Sequence, residues 1–391
     1  MTIRGPTELA GIVLKSDAGM DGTLERKLNL SAVVIISLSA MLGSGLFVLP
    51  ALAMLQMGGG DQPVGGVWLA YLVAAVIVLP AAISKSELAT AMPTSGGSYV
   101  YVQRTFGPMF GTISGLGLWA NFMLKSAFAL IGFKAYLWVI EDLIGINIDI
   151  EIAALVLLAL IVGINILGVK RIKKVQTPIV LISVTYLLML CAYALATMEM
   201  NWDNVFSWEA FGSDWEAVAS SAAFVFVSYA GVTKIAAIGG EIKDPSRNIP
   251  NGILLSLLIS ATLYVVVTLV MAASMDPALF MDANHAGHAR EDPVFLFADG
   301  VGGKEIGIIA ALLSVLTMTS MSLAGIMAAS RFPYAMAKDK LLPSFLEKVH
   351  EEYQTPHWAI IGTGLSMAAA ITFLPVHDVA ELASGFKIMI F

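Results

Sequence analysis

The chain has 391 residues, 58% hydrophobic and 13% charged, with a mean hydropathy of +0.81. A water-soluble domain carries roughly 25% charged residues, so an ordinary soluble domain is excluded and lipid is the expected solvent. The net charge of −7 decides little, because in a membrane protein the distribution of charge matters more than its sum.

Residues 1–28 read as a polar, cytoplasmic N-terminal segment without a cleavable signal pattern, and residues 29–391 as one transmembrane domain. A helical span needs about 20 apolar residues. Spans are predicted near 30–57, 66–90, 107–140, 152–169, 176–198, 216–240, 250–275, 305–332 and 357–375. A tenth begins near 378 and is still running at Phe391. Gly58-Gly59-Gly60 reads as a loop, and Cys191, the single cysteine, as a buried thiol that can form no disulfide within the chain.

The first span carries the most informative feature. Gly43-Ser44-Gly45 lies inside the apolar run Leu30 to Met57, where two glycines weaken a helix that no water can repair. Irregular backbone at that depth is tolerated where it is buried in protein or lines a cavity. It presents N–H groups and a half-helix N-terminus, which suit a carboxylate. Five spans later, Ser228, Tyr229, Gly231 and Thr233 interrupt the sequence SSAAFVFVSYAGVTKIAAIGGEI. Two broken helices five spans apart predict a five-plus-five inverted repeat, about 29–198 and 215–391. The substrate is expected at mid-membrane between the breaks.

Lysine and arginine set the orientation. With the N-terminus inside, the inner segments hold sixteen of these residues, from Arg4 to Lys348, and the outer ones only Arg290 and Lys304. The outer loops are acidic, as in MEMNWDNVFSWEAFGSDWEA. A multi-pass protein of a plasma membrane, the inner membrane in a bacterium, with a cytoplasmic N-terminus, is expected.

Four segments, GSGLF (43–47), AMPTSGGSYVYVQRTFGP (91–108), GEIKDPSRNIPNGI (240–253) and YAMAKDKLLPSFLEKVHEEYQTPHWAI (334–360), resemble motifs of the amino acid–polyamine–organocation transporter superfamily, in the same order. The resemblance runs from about Leu24 to the end and implies an inverted-repeat fold, alternating access, and amino acids or related amines as substrates. Members of that superfamily usually have twelve spans; this chain stops inside the tenth, at LASGFKIMIF, and a truncated sequence is expected.

The resemblance assigns the substrate carboxylate to backbone N–H groups at Ser44 and Gly45, and Gly43 of the same break is counted with them as substrate-binding. It assigns the substrate ammonium to carbonyls at Met41, Val227 and Ala230. Tyr229 and Thr233 face the sixth-span break, and Gly325 is the matching position in span eight, either as pocket wall or as a helix-packing residue. No carboxylate stands at mid-span, as a cationic side chain would require, so a neutral amino acid is the expected cargo. The place of a lysine that substitutes for sodium in many relatives falls on Ser183. With Thr319 and Ser320 it forms a candidate sodium site, and Lys125 is the rival as a proton carrier. Lys234 is open to a functional reading or to snorkelling toward the inner surface.

No cofactor, metal or nucleic acid is expected beyond Na+ or H+ as coupling ion. His285 and His288 read as a solvated loop rather than a metal site. No phosphate loop, nucleophile triad or zinc motif appears, so an enzyme is not expected. The partners are the amino acid and the lipid bilayer; the oligomeric state is open. Alternatives are a non-transporting sensor or partner subunit of the same fold, or a carrier of a cationic amino acid or another solute.

Overall fold

The structure is a computed structural model that describes residues 24–145, 149–212, 214–281 and 288–373. Helices account for the architecture, and the only β-type pairs among the described residues are isolated bridges. In chain order the helices are α1 Leu30–Phe47, α2 Leu49–Met57, α3 Val67–Ala91, α4 Ser98–Phe106, α5 Pro108–Gly132, α6 Lys134–Ile144, α7 Ile150–Ile166, α8 Val169–Thr197, α9 Asp203–Phe206 and α10 Trp215–Val225. A 3₁₀ segment Phe226–Thr233 follows, then α11 Lys234–Ala237, α12 Pro245–Ser274, α13 Pro293–Gly302, α14 Lys304–Ala329, α15 Arg331–Lys338 and α16 His357–Phe373.

Seven stretches among the described residues are long and apolar enough to cross a membrane: α1, α3, α5, α8, α10 through α11, α12, and α14 through α15. They fall on the first, second, third, fifth, sixth, seventh and eighth predicted spans. The fourth and ninth correspond to α7 and α16, each of 17 residues, or about 25 Å of helix against a hydrocarbon core of about 30 Å. The expected tenth span lies outside the described residues. Helix α13 is an addition: it stands in a stretch the sequence reading treated as outer loop.

Burial separates the helices into an inner and an outer set. The apolar window of α1 is 78% buried inside the protein, whereas those of α8 and α3 are 33% and 39% buried. The outer helices turn large apolar side chains outward, among them Val76, Ile77, Leu181, Ile182, Met189 and Leu258, as lipid rather than water would demand. Helix α1 runs through the middle, packed on α12, α14, α8 and the 3₁₀ segment. Asn29 starts it by accepting a hydrogen bond from the Ala32 N–H at 3.2 Å, which satisfies one of the orphan donors of the first turn.

At the lysine-rich end the two interrupted spans are tied together. The Lys27 and Leu28 N–H groups both donate to the Glu241 carbonyl at 2.9 Å, and the Lys243 N–H donates back to Leu28 at 2.8 Å. The Glu241 carboxylate pairs with Arg331 of α15 at 2.7 Å, both side chains almost fully buried. A few residues on, the Tyr99 hydroxyl donates to Asp339 at 2.7 Å; burial and that carboxylate hold its phenol above its ordinary range. Arg331, which the sequence reading counted among the inner loop charges, is thus a buried partner of Glu241.

Candidate functional site

The two interruptions differ in form and meet in space. In α1 a single residue leaves helical geometry, Gly43, with φ −43° and ψ −119°. Ser44 and Gly45 stay within helix α1, which ends at Phe47, and Val48 separates it from α2. In the sixth span the eight residues Phe226–Thr233 tighten into 3₁₀ geometry, whose poorer hydrogen bonding commonly marks a hinge or a strained stretch. A Cβ on Gly231 would lie 2.8 Å from the Ala40 carbonyl carbon, and one on Gly45 would lie 2.9 Å from the Ser228 Cβ and from the Tyr264 hydroxyl. Glycine at these two positions is what lets the interruptions touch.

Three tyrosines hold that junction. Tyr71 of α3 donates to the Gly45 carbonyl at 2.8 Å, Tyr264 of α12 donates to the Met41 carbonyl at 2.6 Å, and Tyr229 donates to the Tyr71 carbonyl at 2.9 Å. The ring centroids of Tyr71 and Tyr229 lie 5.1 and 5.2 Å from that of Tyr264. Sequence reasoning passed over Tyr71 and Tyr264. The available signal was a phenol in an apolar span, since a buried hydroxyl needs a partner.

The carbonyls expected to receive a substrate ammonium each have an internal donor in this structure. Met41 is reached by Tyr264, Val227 by the Lys125 ammonium at 2.8 Å, and Ala230 by the Thr233 hydroxyl at 3.0 Å. Met321 of α14 fills the space beside the first break: its Sδ would lie 2.6 Å from a Cβ on Gly43, and the Ser44 hydroxyl points at it from 3.8 Å. At Gly325 any side chain would run into the Ser126 hydroxyl of α5, so close packing of α14 on α5 requires the glycine.

The coupling-ion candidates separate. Thr319 donates to the Val315 carbonyl of its own helix at 2.8 Å. Ser320 shares a hydrogen bond of 2.7 Å with Ser39 of α1, and the Gln176 amide of α8 donates to both the Ser39 hydroxyl and the Ser320 carbonyl at 3.0 Å. Ser183 is fully buried, with no partner for its hydroxyl among the described residues. The structure therefore joins α1, α8 and α14 through Ser39, Gln176 and Ser320, and of these residues the sequence reading had singled out only Ser320. Lys234 does not snorkel: it is 2% exposed and lies under the Phe122 ring, 5.8 Å from its centroid. His285 lies outside the described residues, and no group of metal-ligating side chains occurs among those described.

An all-helical bundle of membrane length, wrapped around two interrupted helices that touch through glycines, defines a polytopic membrane protein of the carrier class. Its sequence matches the model of the amino acid permease family over residues 32–388, and the chain belongs to that family. It is 27% identical to the branched-chain amino acid permease BcaP of Bacillus subtilis, over 93% of this chain and 78% of that one. It is 26% identical to the methylthioribose transporter of the same organism, again over 93% and 78%. The vacuolar cationic amino acid transporter 2 of Arabidopsis thaliana is 25% identical over 94% of this chain and 58% of its own length. Among solved structures, MhsT in complex with L-phenylalanine superposes with a TM-score of 0.64 at 14% identity, covering 93% of this chain and 81% of that one. That last likeness is one of fold.

Proposed function

We propose that the chain is a secondary active transporter that carries an amino acid by alternating access, in a bacterial inner membrane with its N-terminus in the cytoplasm. The observation that carries this reading is the contact between the kink at Gly43 and the 3₁₀ segment Phe226–Thr233. The cargo carboxylate is taken by N–H groups at Gly43, Ser44 and Gly45, which suit an anion without an arginine. Its ammonium is taken by the carbonyls of Met41, Val227 and Ala230, replacing Tyr264, Lys125 and Thr233 as donors. Tyr229 and Gly325 complete the wall. Spans one to five and six to ten form the inverted repeat.

The cargo side chain carries no positive charge. In support, the described spans offer no carboxylate near their middles, and Glu241 is already paired with Arg331. The names of the two Bacillus relatives, a branched-chain amino acid permease and a methylthioribose transporter, point the same way, whereas the Arabidopsis relative's name points to cationic amino acids. A neutral amino acid remains the simplest cargo. For the coupling ion, the buried Ser183 hydroxyl and the Ser39–Ser320 pair support sodium, and the Lys125 ammonium on the sixth-span carbonyl supports a proton.

Uptake of radiolabelled amino acids into proteoliposomes under imposed sodium or proton gradients tests the proposal. A sodium carrier loses uptake without external sodium and in Ser320→Ala, and keeps its sodium dependence in Lys125→Met. A proton carrier ignores sodium and collapses in Lys125→Met. Failure to bind any amino acid overturns the permease reading itself.

A further inference from the structure

A cavity of about 780 Å³ opens at the lysine-rich end, and no residue of either interruption lines it. Lys338 enters from the end of α15 and Glu347 from the 3₁₀ turn Ser344–Glu347. Lys348, His350 and Glu351 follow in the loop, and His357 starts α16. The loop is held in shape. Leu346 and Val349 pack on Tyr334 of α15 and Ala359 of α16. The His350 N–H donates to the Thr355 carbonyl at 2.8 Å, and the Thr355 hydroxyl donates to the Ile166 carbonyl of α7 at 2.8 Å. A wall formed in advance costs a ligand little ordering.

The chemistry of the cavity has both signs. Two lysines and two carboxylates line one space, and among the described residues no ion pair joins Lys348 to Glu347 or Glu351. His350 adds a neutral donor. Its Nδ1 accepts from the N–H groups of Glu352 and Tyr353 at 3.2 and 3.4 Å, so the proton of the neutral ring sits on Nε2. Equal numbers of cations and carboxylates do not suit a plain anion. They suit a ligand that carries a phosphate and an ammonium together.

The position of the cavity selects a lipid. It lies where the ninth span begins, and beside it the exposed Phe345 and Trp358 meet edge-on with ring centroids 6.3 Å apart. Aromatic side chains favour the boundary between headgroups and hydrocarbon. From Trp358, the exposed residues Leu365, Ala369 and Phe373 continue along one face of α16 at helical spacing. A headgroup site therefore stands at the head of an apolar stripe.

We propose that this cavity binds the headgroup of a phospholipid with a primary ammonium, of the phosphatidylethanolamine class, whose acyl chains lie along the stripe from Trp358 to Phe373. The phosphate accepts from Lys338, Lys348 and the His350 Nε2–H. The ammonium donates to Glu347 and Glu351. A bound lipid ties α15 to α16. The site is separate from the cargo site and does not depend on which amino acid is carried.

The test offers the full chain, purified in detergent, the dioleoyl forms of phosphatidylethanolamine, phosphatidylcholine and phosphatidylglycerol, and counts retained lipid by native mass spectrometry. Wild-type protein is expected to hold phosphatidylethanolamine about tenfold more tightly than phosphatidylcholine, whose quaternary ammonium has no N–H to donate, the discrimination a charged hydrogen bond supplies. Phosphatidylglycerol, which brings no cation to the carboxylates, is expected to bind as weakly. Glu347→Gln with Glu351→Gln is expected to erase the preference for the ethanolamine lipid. Lys348→Gln is expected to weaken retention of all three lipids, since each carries the phosphate. Equal retention of the three by wild-type protein, or tighter retention of phosphatidylglycerol, overturns the assignment with no variant needed. A preference that survives in the double glutamine variant also overturns it. Glycerophosphoethanolamine, the headgroup without its chains, is the last arm: if it displaces the lipid at equal concentration, the ligand is a soluble phosphate ester and the lipid assignment fails. Amino acid binding measured on the same preparation keeps each of these failures separate from a failure of the permease reading.

Discussion

The two interruptions at the centre of the molecule are built by opposite means. In α1 the break is one residue wide, and the flanking backbone returns at once to helix. In the sixth span eight residues are rewound into 3₁₀ geometry with helix-like dihedrals at the residues that flank them. The first is a local property of glycine, which weakens the helix wherever it stands at mid-span. The second is imposed by partners: Lys125 on Val227, Tyr229 on the Tyr71 carbonyl, and the Glu241–Arg331 pair that pins the lower end. A break made by glycine is stable by itself. A rewound segment held from outside is a spring that new partners, a bound cargo among them, can reset.

The largest expected effect tests whether the sixth span is held from outside. Arg331→Met leaves the Glu241 carboxylate buried without its partner and is expected to cost about 3–5 kcal/mol, read as a lowered unfolding midpoint in detergent. Replacing both members, Glu241→Leu with Arg331→Met, is expected to recover most of that loss. If the single variant melts like wild type, the pair does not hold the segment.

Gly45→Val comes next. Its branches meet Ser228 and Tyr264, whose atoms lie 2.9 Å from the first added carbon, and overpacking of this kind costs about 1–3 kcal/mol. The variant is expected to fold, judged by a monodisperse elution profile, and to bind cargo at least tenfold more weakly. Unchanged affinity would place the site elsewhere.

The glycine account of the first break is sharpened by a double-mutant cycle between Gly43→Ala and Met321→Ala. The added methyl overlaps the methionine, whose Sδ and Cβ lie 2.6 and 2.9 Å away, so shortening Met321 should relieve much of its cost, with a coupling of about 1–2 kcal/mol. Additive effects would mean that glycine matters at this position for the backbone alone. The smallest effect belongs to Tyr264→Phe, which removes the 2.6 Å hydrogen bond to Met41. A loss of about 1 kcal/mol is expected, together with a change in cargo affinity, since the Met41 carbonyl is then free to receive the cargo ammonium.

What the sequence determined by itself follows from solvent and chain chemistry. Lipid requires long apolar helices, and these were legible as nine complete spans and one begun, seven of which appear at full membrane length among the described residues. Glycine and small polar residues at mid-span marked the position of both interruptions, but a local weakness accounts only for the one-residue break at Gly43; the form of the second depends on its partners. The tertiary structure decided which side chains face those interruptions. Tyr71, Tyr264, Gln176 and Met321 come from other spans, and in sequence they look like ordinary members of apolar helices. Lys234 shows the same limit from the other side. Its position near a helix end left snorkelling and function equally open, and only the packing of α5 and α14 around it put the charge in the core. The direction a side chain takes from its helix depends on the neighbours that surround it, and distances of 100 or more residues along the chain, such as Lys125 to Val227, carry no local signal.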